Sequence, residues 1–177
     1  LDLVEKTIKT RHVYEGKILN LRVDDVLLPD GSQSKREIVE HPGAVAIVPI
    51  NDKMEVVFVK QFRKPAEKVL LEIPAGTLKP GETAESCAQR ELAEETGYRA
   101  GRLQKIASYY SSPGFVGEKI SIFLAQDLIE QQVEKPAGEF VIKELFPLSE
   151  ASRMINEGII EDGKTIIGLL LALEYIK

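Results

Sequence analysis

The sequence predicts an α+β fold, an α/β/α sandwich with a mixed sheet that is preceded by a small N-terminal β extension. Three observations predict it: short apolar runs separated by turn residues in the first half, one helix-forming segment in the middle, and two helical segments at the end. A chain of 177 residues with 44% hydrophobic residues is long enough to bury a sizeable core. We expect the extension to comprise residues 1–42 and the main domain residues 43–177.

The extension and the start of the main domain are predicted to form strands. The runs KILNLRVDDVLL and SKREIVEH flank PDGSQ, where Pro29 fixes its backbone angle and Gly31 tolerates a positive φ. After a break at residues 41–43, AVAIVPI and MEVVFVKQF flank Asn51-Asp52, which predicts a hairpin. VLLEIP is expected to add a further short strand.

A helix is predicted over Ala84 to Thr96, because this segment has no Gly or Pro and is rich in Ala, Glu, Leu and Arg. Thr83 is its expected N-cap and Gly97 its expected C-terminal cap. Beyond it, LQKIASYY, KISIFLAQ and FVIKELFPL predict strands around the polar loop EQQVEKPAGE. Two closing helices are predicted in SEASRMINEG and KTIIGLLLALEYIK.

The charge and the apolar segments exclude several classes of partner. A net charge of −5 and a pI of about 5.2 argue against binding to nucleic acid or to an anionic membrane. The most apolar segment, TIIGLLLALEYI, is too short to span a bilayer and contains Glu174. No signal peptide pattern is found, and Cys87 is the single cysteine, so we expect a soluble cytoplasmic protein.

The predicted helix places carboxylates on its inward face. If Ala88 marks the centre of that face, Ala84 and Leu92 lie about 40° to either side, Glu95 about 20° and Glu91 about 60° away. Glu94 lies at the edge of this face and Arg90 points away from it. Burial of an ionised carboxylate without a partner is costly, and two neighbours also repel.

Two interpretations of these carboxylates are open. The helix face could be solvated and carry ordinary salt bridges. Against this, Glu91 and Glu95 form a like-charge i,i+4 pair, and no lysine lies between Gln89 and Tyr98 to relieve it. A hard divalent cation such as Mg²⁺, which prefers oxygen ligands, would solve the problem. Cys87 has no second thiol, and His12 and His41 are far apart with no metal-ligand spacing.

Residues 76–98 carry charged residues and glycines at fixed spacing. The seven fixed identities are Gly76, Glu82, Arg90, Glu91, Glu94, Glu95 and Gly97, and Leu92 fills an apolar position between them. This 23-residue stretch resembles the Nudix box, the signature of hydrolases that act on nucleoside diphosphates linked to another group. It departs from the usual pattern only at Tyr98, where an aliphatic residue is common, and seven identities at fixed spacing make chance agreement improbable.

The resemblance implies a role for each acidic position. Glu91 and Glu95 would be the principal ligands of Mg²⁺, with Mn²⁺ as a substitute, and Glu82 and the Ala75 carbonyl would support them. Among the catalytic residues, Glu94 would assist and Arg90 would orient a neighbouring glutamate.

A second set of motifs is similar to the ADP-ribose pyrophosphatase branch of the family. These are YYSSPGFVGE, with Pro113 sixteen residues beyond Gly97, together with VKQFRKP, KREIVEHPGAVAIV and the N-terminal extension. In that branch the extension pairs with a second subunit, which implies a homodimer.

The branch also implies substrate contacts. Arg63 would contact the diphosphate, Arg36 and Glu37 would lie near the adenosine end, and Glu118 would face the site after the turn at Pro113. The alternative is that the arginines are ordinary surface charges and that Pro113 simply forms a turn.

A general base must accept the proton of the attacking water. In the branch it is a glutamate before a late strand, and Glu139 in EKPAGEFVIKE is the matching residue. Ala137 and Gly138 are neutral where the branch is often acidic. Glu139 could instead be a third metal ligand, with Glu134 or Glu118 as the base.

The resemblance implies Mg²⁺-dependent hydrolysis of ADP-ribose to AMP and ribose 5-phosphate. One alternative keeps this chemistry with another nucleoside diphosphate sugar such as GDP-mannose. The other is a module that binds a nucleotide without cleaving it, but the complete set of box glutamates argues against it.

Overall fold

The computed structural model describes residues 3–133, 138 and 140–176. The helices and strands group into two compact units, and the first combines the N-terminal segment with a later one. This unit comprises Leu1–Gly43 and Tyr109–Lys119, and the second comprises Ala44–Ser108 and Ile120–Lys177. Ten strands and three α-helices lie in the described ranges. Their bounds are β1 Lys6–Glu15, β2 Asn20–Leu27, β3 Gln33–Glu40, β4 Ala44–Pro49, β5 Glu55–Arg63, β6 Lys68–Glu72, β7 Ala75–Thr77, α1 Ala84–Thr96, β8 Tyr98–Tyr110, β9 Lys119–Glu130, β10 Val141–Pro147, α2 Ala151–Asn156 and α3 Gly163–Tyr175.

The first unit is built on an antiparallel sheet in the order β1-β2-β3. The predicted turn between β2 and β3 is confirmed: Gly31 has a φ of +84° and donates its N–H to Leu28 O at 2.9 Å. Val39 at the end of β3 exchanges backbone hydrogen bonds with Phe115 and Gly117, which ties the later segment to this unit. Every residue of β1 is exposed.

The second unit contains two sheets. One is four-stranded in the order β7-β4-β9-β8, with β4 and β9 parallel, and the other is antiparallel in the order β10-β5-β6. The predicted hairpin around Asn51-Asp52 is wrong as a pair of adjacent strands. Only an isolated bridge joins Ile50 to Val56, because β4 pairs with β7 and β9 whereas β5 pairs with β6 and β10.

Helices cover both faces of the four-stranded sheet, and the predicted α/β/α sandwich is confirmed. Cys87, Ala88 and Leu92 of α1 form one buried cluster with Val45 and Ile47 of β4. Gly168 of α3 instead packs against Val48 and Ile122, whose side chains point to the opposite face because strand residues alternate. Apolar layers therefore lie on both sides of β4 and β9.

The closing helices also match the sequence closely. α2 is shorter than its predicted segment and is preceded by a 3₁₀ turn at Leu148–Glu150, while α3 begins at Gly163 with Asp162 as its N-cap. Among the described residues, none of the helices combines the length and the hydropathy that crossing a membrane would require.

Candidate active site

Helix α1 has the bounds and caps that the sequence predicts. Thr83 Oγ1 accepts a hydrogen bond from Ser86 N at 3.2 Å, which satisfies one free N–H of the first turn. Gly97 ends the helix with a φ of +77° and donates its N–H to Ala93 O at 2.9 Å. The buried face of Ala88 and Leu92 fixes the rotation of the helix against β4.

That rotation buries Glu91 and Glu95, as the helical-face argument predicts. Only 7% of Glu91 and 3% of Glu95 is exposed to solvent. Ala75, at the start of β7, donates its backbone N–H to Glu95 Oε2 at 3.1 Å. The neighbouring strand therefore supports one of the two carboxylates directly.

The space beside the other carboxylate depends on Gly76. A β-carbon at this position would lie 1.9 Å from Cδ of Glu91 and 2.0 Å from its Oε1. No side chain larger than hydrogen fits there without moving Glu91. Glycine permits a close approach between the backbone and a neighbouring group, and here that group is the protein's own carboxylate.

Arg90, which the helical wheel directs away from the inward face, turns its guanidinium toward the acids of the box. Its Nε and Nη2 bind the two oxygens of Glu82 at 2.8 and 2.9 Å, and its Nη1 donates to Glu91 Oε1 and, at 3.2 Å, to Glu94 Oε2. A helical wheel gives only the direction of the β-carbon. The Arg90 side chain is long enough to fold back along the helix and reach Glu82 and Glu91. The chain thus supplies one cation to its own carboxylates.

These charges change the acidity of the groups around Arg90. The hydrogen bonds from Arg90 lower the pKa of Glu82 to about 2. The same bonds to Glu82, together with that to Glu91, raise the pKa of the Arg90 guanidinium. Burial, followed by the charge of Glu82, raises the pKa of the Cys87 thiol to about 12, so Cys87 stays protonated as a small residue of the core.

The arrangement fits a hard divalent cation that is only partly enclosed by protein. Within the described ranges, no group of three or more His, Cys, Asp or Glu side chains is placed to hold a metal ion. Mg²⁺ does not need such a cage, because it takes one or two protein carboxylates and completes its shell with water and phosphate oxygens. Glu91 and Glu95 supply two such carboxylates, and both are buried beside β7.

A second charged cluster lies in the same unit and was not predicted. Arg63, at the end of β5, binds Glu72 of β6 through two hydrogen bonds of 2.7 and 2.8 Å, and Lys164 of α3 donates to the same carboxylate. Glu72 is 1% exposed. The signal that could have indicated it is an acidic residue inside the apolar run VLLEIP, where a charge needs a partner.

The first unit holds four of the predicted substrate contacts. Arg36 forms two hydrogen bonds to Glu5 at 2.9 and 2.6 Å, and Glu37 lies on β3 opposite Val23. Glu118 lies 3.6 Å from His41 Nδ1. Pro113 is exposed in a turn that the Phe115 N–H closes on Ser112 O at 3.2 Å.

The predicted general base lies outside the part of the chain that can be described. Glu139, and the alternative Glu134, fall among the residues that the structure does not describe.

A family model described as NUDIX domain matches residues 40–166, well over half of the chain. The chain belongs to the NUDIX domain family. A second model, described as nucleoside diphosphate sugar hydrolase N-terminal domain, matches residues 5–39. The membership predicted from residues 76–98 is therefore confirmed, and Nudix hydrolases generally use divalent metal ions.

Several relatives are similar over nearly the whole chain. An ADP-ribose pyrophosphatase from Bacillus subtilis (strain 168) is 45% identical over 99% of this chain and 94% of its own length. A protein named methanol dehydrogenase activator from Bacillus methanolicus is also 45% identical, over 98% of this chain and 92% of its own. A GDP-mannose pyrophosphatase from Pectobacterium atrosepticum is 33% identical over 94% of this chain and 91% of its own length.

A solved structure supports the fold. The structure titled "Crystal structure of ADP compounds hydrolase" matches with a TM-score of 0.87 and covers 97% of this chain and 94% of that one. Its sequence is 23% identical, so the match carries the architecture alone.

Proposed function

We propose that the protein is a Mg²⁺-dependent ADP-ribose pyrophosphatase that yields AMP and ribose 5-phosphate, with Mn²⁺ able to replace Mg²⁺. The observation that carries the proposal is the buried pair of Glu91 and Glu95 in a complete box. The choice of ADP-ribose is supported by 45% identity to an ADP-ribose pyrophosphatase over 99% of the chain.

Glu91 and Glu95 would hold the metal, and Glu82 and the Ala75 carbonyl would support it. When bound, the metal would neutralise charge that develops on the phosphate oxygens while water attacks phosphorus. Arg90 holds Glu82, Glu91 and Glu94 together, so that the carboxylates stay close in spite of their mutual repulsion.

Other side chains would bind the substrate and move the proton. Arg63 would contact the diphosphate, for which a planar guanidinium is well suited. Glu139 is our candidate for the group that accepts the proton of the attacking water, with Glu94 assisting. We assign Arg36, Glu37, Pro113 and Glu118 to the nucleoside end of the substrate.

We further propose that the protein is a homodimer whose extension, residues 1–42, contributes to the contact between subunits. The exposed strand β1 supports this, because Ile8 and Tyr14 are 54% and 58% exposed on it. We place the protein in the cytoplasm, where a free thiol such as Cys87 stays reduced.

The decisive experiment is product analysis after incubation with a panel of nucleoside diphosphate sugars, with and without Mg²⁺. We expect AMP and ribose 5-phosphate from ADP-ribose in the presence of Mg²⁺ and no turnover in a chelator. In ¹⁸O-labelled water, the labelled product identifies the phosphorus that is attacked. Faster hydrolysis of GDP-mannose than of ADP-ribose would favour the second candidate function, a pyrophosphatase for another nucleoside diphosphate sugar. The GDP-mannose pyrophosphatase relative supports this candidate. Binding of ADP-ribose without any product would contradict hydrolysis.

A further inference from the structure

Glu72 is a deeply buried carboxylate that three elements hold in place. It lies at the end of β6 with 1% of its surface exposed, and Arg63 of β5 binds both of its oxygens. Lys164 of α3 donates a further hydrogen bond to Oε2. A charge buried this deeply needs such partners, so the position of Glu72 and the orientation of Arg63 are coupled.

The guanidinium of Arg63 is held along one edge only. Its Nε and Nη2 donate to Glu72, and Nη1 donates no hydrogen bond to any of the described residues. The Arg63 side chain is 37% exposed. The hydrogen bonds to Glu72 raise the pKa of Arg63, and the nearby charge of Glu95 adds to this effect. One edge of this cation therefore remains available to a ligand near the box carboxylates.

The far side of Glu72 is fixed just as firmly. Lys164 also donates to Asp162 Oδ1 at 3.0 Å, and Asp162 caps α3 by accepting from Thr165 N at 2.9 Å. The Thr165 hydroxyl accepts from Ile73 N at 2.9 Å, so the residue after Glu72 is tied to the same helix end. Neither the carboxylate nor its backbone can shift without disturbing α3.

The same strand segment continues into the box. Three residues after Glu72, Ala75 donates its N–H to Glu95, and Gly76 leaves the space that Glu91 occupies. Residues 72–76 therefore connect the Arg63 cluster rigidly to the two buried carboxylates of α1.

We infer that Glu72 is a positioning residue that holds Arg63 in one orientation toward the substrate diphosphate. This inference rests on the proposed function, in which Arg63 contacts the diphosphate. Glu72 itself is too buried to touch a substrate. A cation that is already oriented loses less freedom when the ligand binds, and misplacement of such a group by about 1 Å can cost about 100-fold in rate.

The kinetic test is a double-mutant cycle on hydrolysis of ADP-ribose in saturating Mg²⁺. We expect Glu72→Gln to lower kcat/KM by about 100-fold in the wild type. In the Arg63→Gln background the same change should cost less than about threefold, because its target is already absent. Equal losses in both backgrounds, or full activity of Glu72→Gln, would overturn the inference. Glu144→Gln, which breaks a 2.7 Å pair with Lys60 on the same sheet, is the matched control and should retain activity.

A second measurement does not depend on turnover. The Nε–H resonance of Arg63 in a ¹⁵N spectrum should exchange slowly in the wild type and shift when inorganic pyrophosphate is added. In Glu72→Gln the Arg63 Nε–H proton should exchange rapidly with water, and its resonance should no longer move when pyrophosphate is added. A resonance that behaves as in the wild type would overturn the inference. Glu72→Asp keeps the charge on a shorter side chain, so its exchange rate should lie between those of the wild type and Glu72→Gln. This variant replaces Glu72→Gln in the test if Glu72→Gln does not fold. If the wild type cleaves none of the nucleotide sugars, the proposed function fails while this spectrum still decides the role of Glu72.

Discussion

Gly76 and the carboxylate of Glu91 occupy adjoining space with no room between them for even a methyl group. A β-carbon at position 76 would stand 1.9 Å from Glu91 Cδ. The absence of a side chain on β7 thus determines where a charged group on α1 can lie. This contact joins the loop and the helix of the Nudix box into one unit.

Gly76→Ala should move Glu91 and lower both stability and activity. We expect the free energy of unfolding to fall by about 1–3 kcal/mol, since the added methyl forces a packed side chain aside. Hydrolysis of ADP-ribose should fall more than tenfold, because Glu91 is a proposed metal ligand. Chemical denaturation and steady-state kinetics measure the two effects. Gly163→Ala is the control, because a β-carbon there meets nothing within 4 Å. Normal activity of Gly76→Ala would show that the position of Glu91 is unimportant.

Glu95→Gln should abolish activity with little cost to folding. The amide oxygen can still accept the Ala75 N–H, but it carries no charge to hold a divalent cation. We expect a loss of at least about 100-fold in kcat and a melting temperature close to that of the wild type. The control is Glu85→Gln, on the exposed first turn of α1, which should change neither kcat nor the melting temperature. Hydrolysis at the wild-type rate in saturating Mg²⁺ would remove Glu95 from the site.

Arg90→Met should make the protein depend more strongly on metal for its stability. Without the guanidinium, Glu82, Glu91 and Glu94 lose their shared partner, and we expect a loss of about 2 kcal/mol in a chelating buffer. A bound divalent cation stabilises only the folded state. Mg²⁺ should therefore raise the melting temperature of Arg90→Met more than that of the wild type. An equal rise in both proteins would contradict the idea that Arg90 and the metal balance the same carboxylates.

The contribution of Glu72 to stability should disappear in acid. Burial raises the pKa of Glu72, but Arg63 and Lys164 more than offset this, and its pKa lies below the ordinary 4.5. The unfolded chain then binds more protons than the native protein, so this contribution is complete above about pH 4.5 and is lost as the pH falls through the lowered pKa. We expect Glu72→Gln to be about 3 kcal/mol less stable than the wild type at pH 7. The difference in the free energy of unfolding between the two proteins, measured by urea unfolding, should become smaller below pH 4.5. A difference that does not change with pH would exclude an ionised Glu72.

The local sequence pattern was sufficient to predict much of the fold and the centre of the site. The bounds of α1 follow from Thr83, Gly97 and the helix formers between them. The burial of Glu91 and Glu95 follows from their angle to Ala88 and Leu92, because a helix turns through the same angle whatever surrounds it.

Features that depend on distant parts of the chain could not be predicted. The separation of β4 and β5 into different sheets is decided by their partners β9 and β10, far along the sequence. The ion pair between Glu72 and Lys164 joins residues 92 positions apart. The path of the Arg90 side chain depends on Glu82 in the preceding loop, which a helical wheel does not include.

Cys87 gives the molecule a built-in reporter of motion in α1. It is the single thiol, it is fully buried, and its Sγ lies 3.3 Å from Arg90 Nη2. A thiol-specific dye can therefore label the chain only when this helix detaches from the sheet or the whole protein unfolds. The labelling rate, followed with and without a divalent ion, would measure how tightly ligand occupancy and helix opening are linked without any substrate.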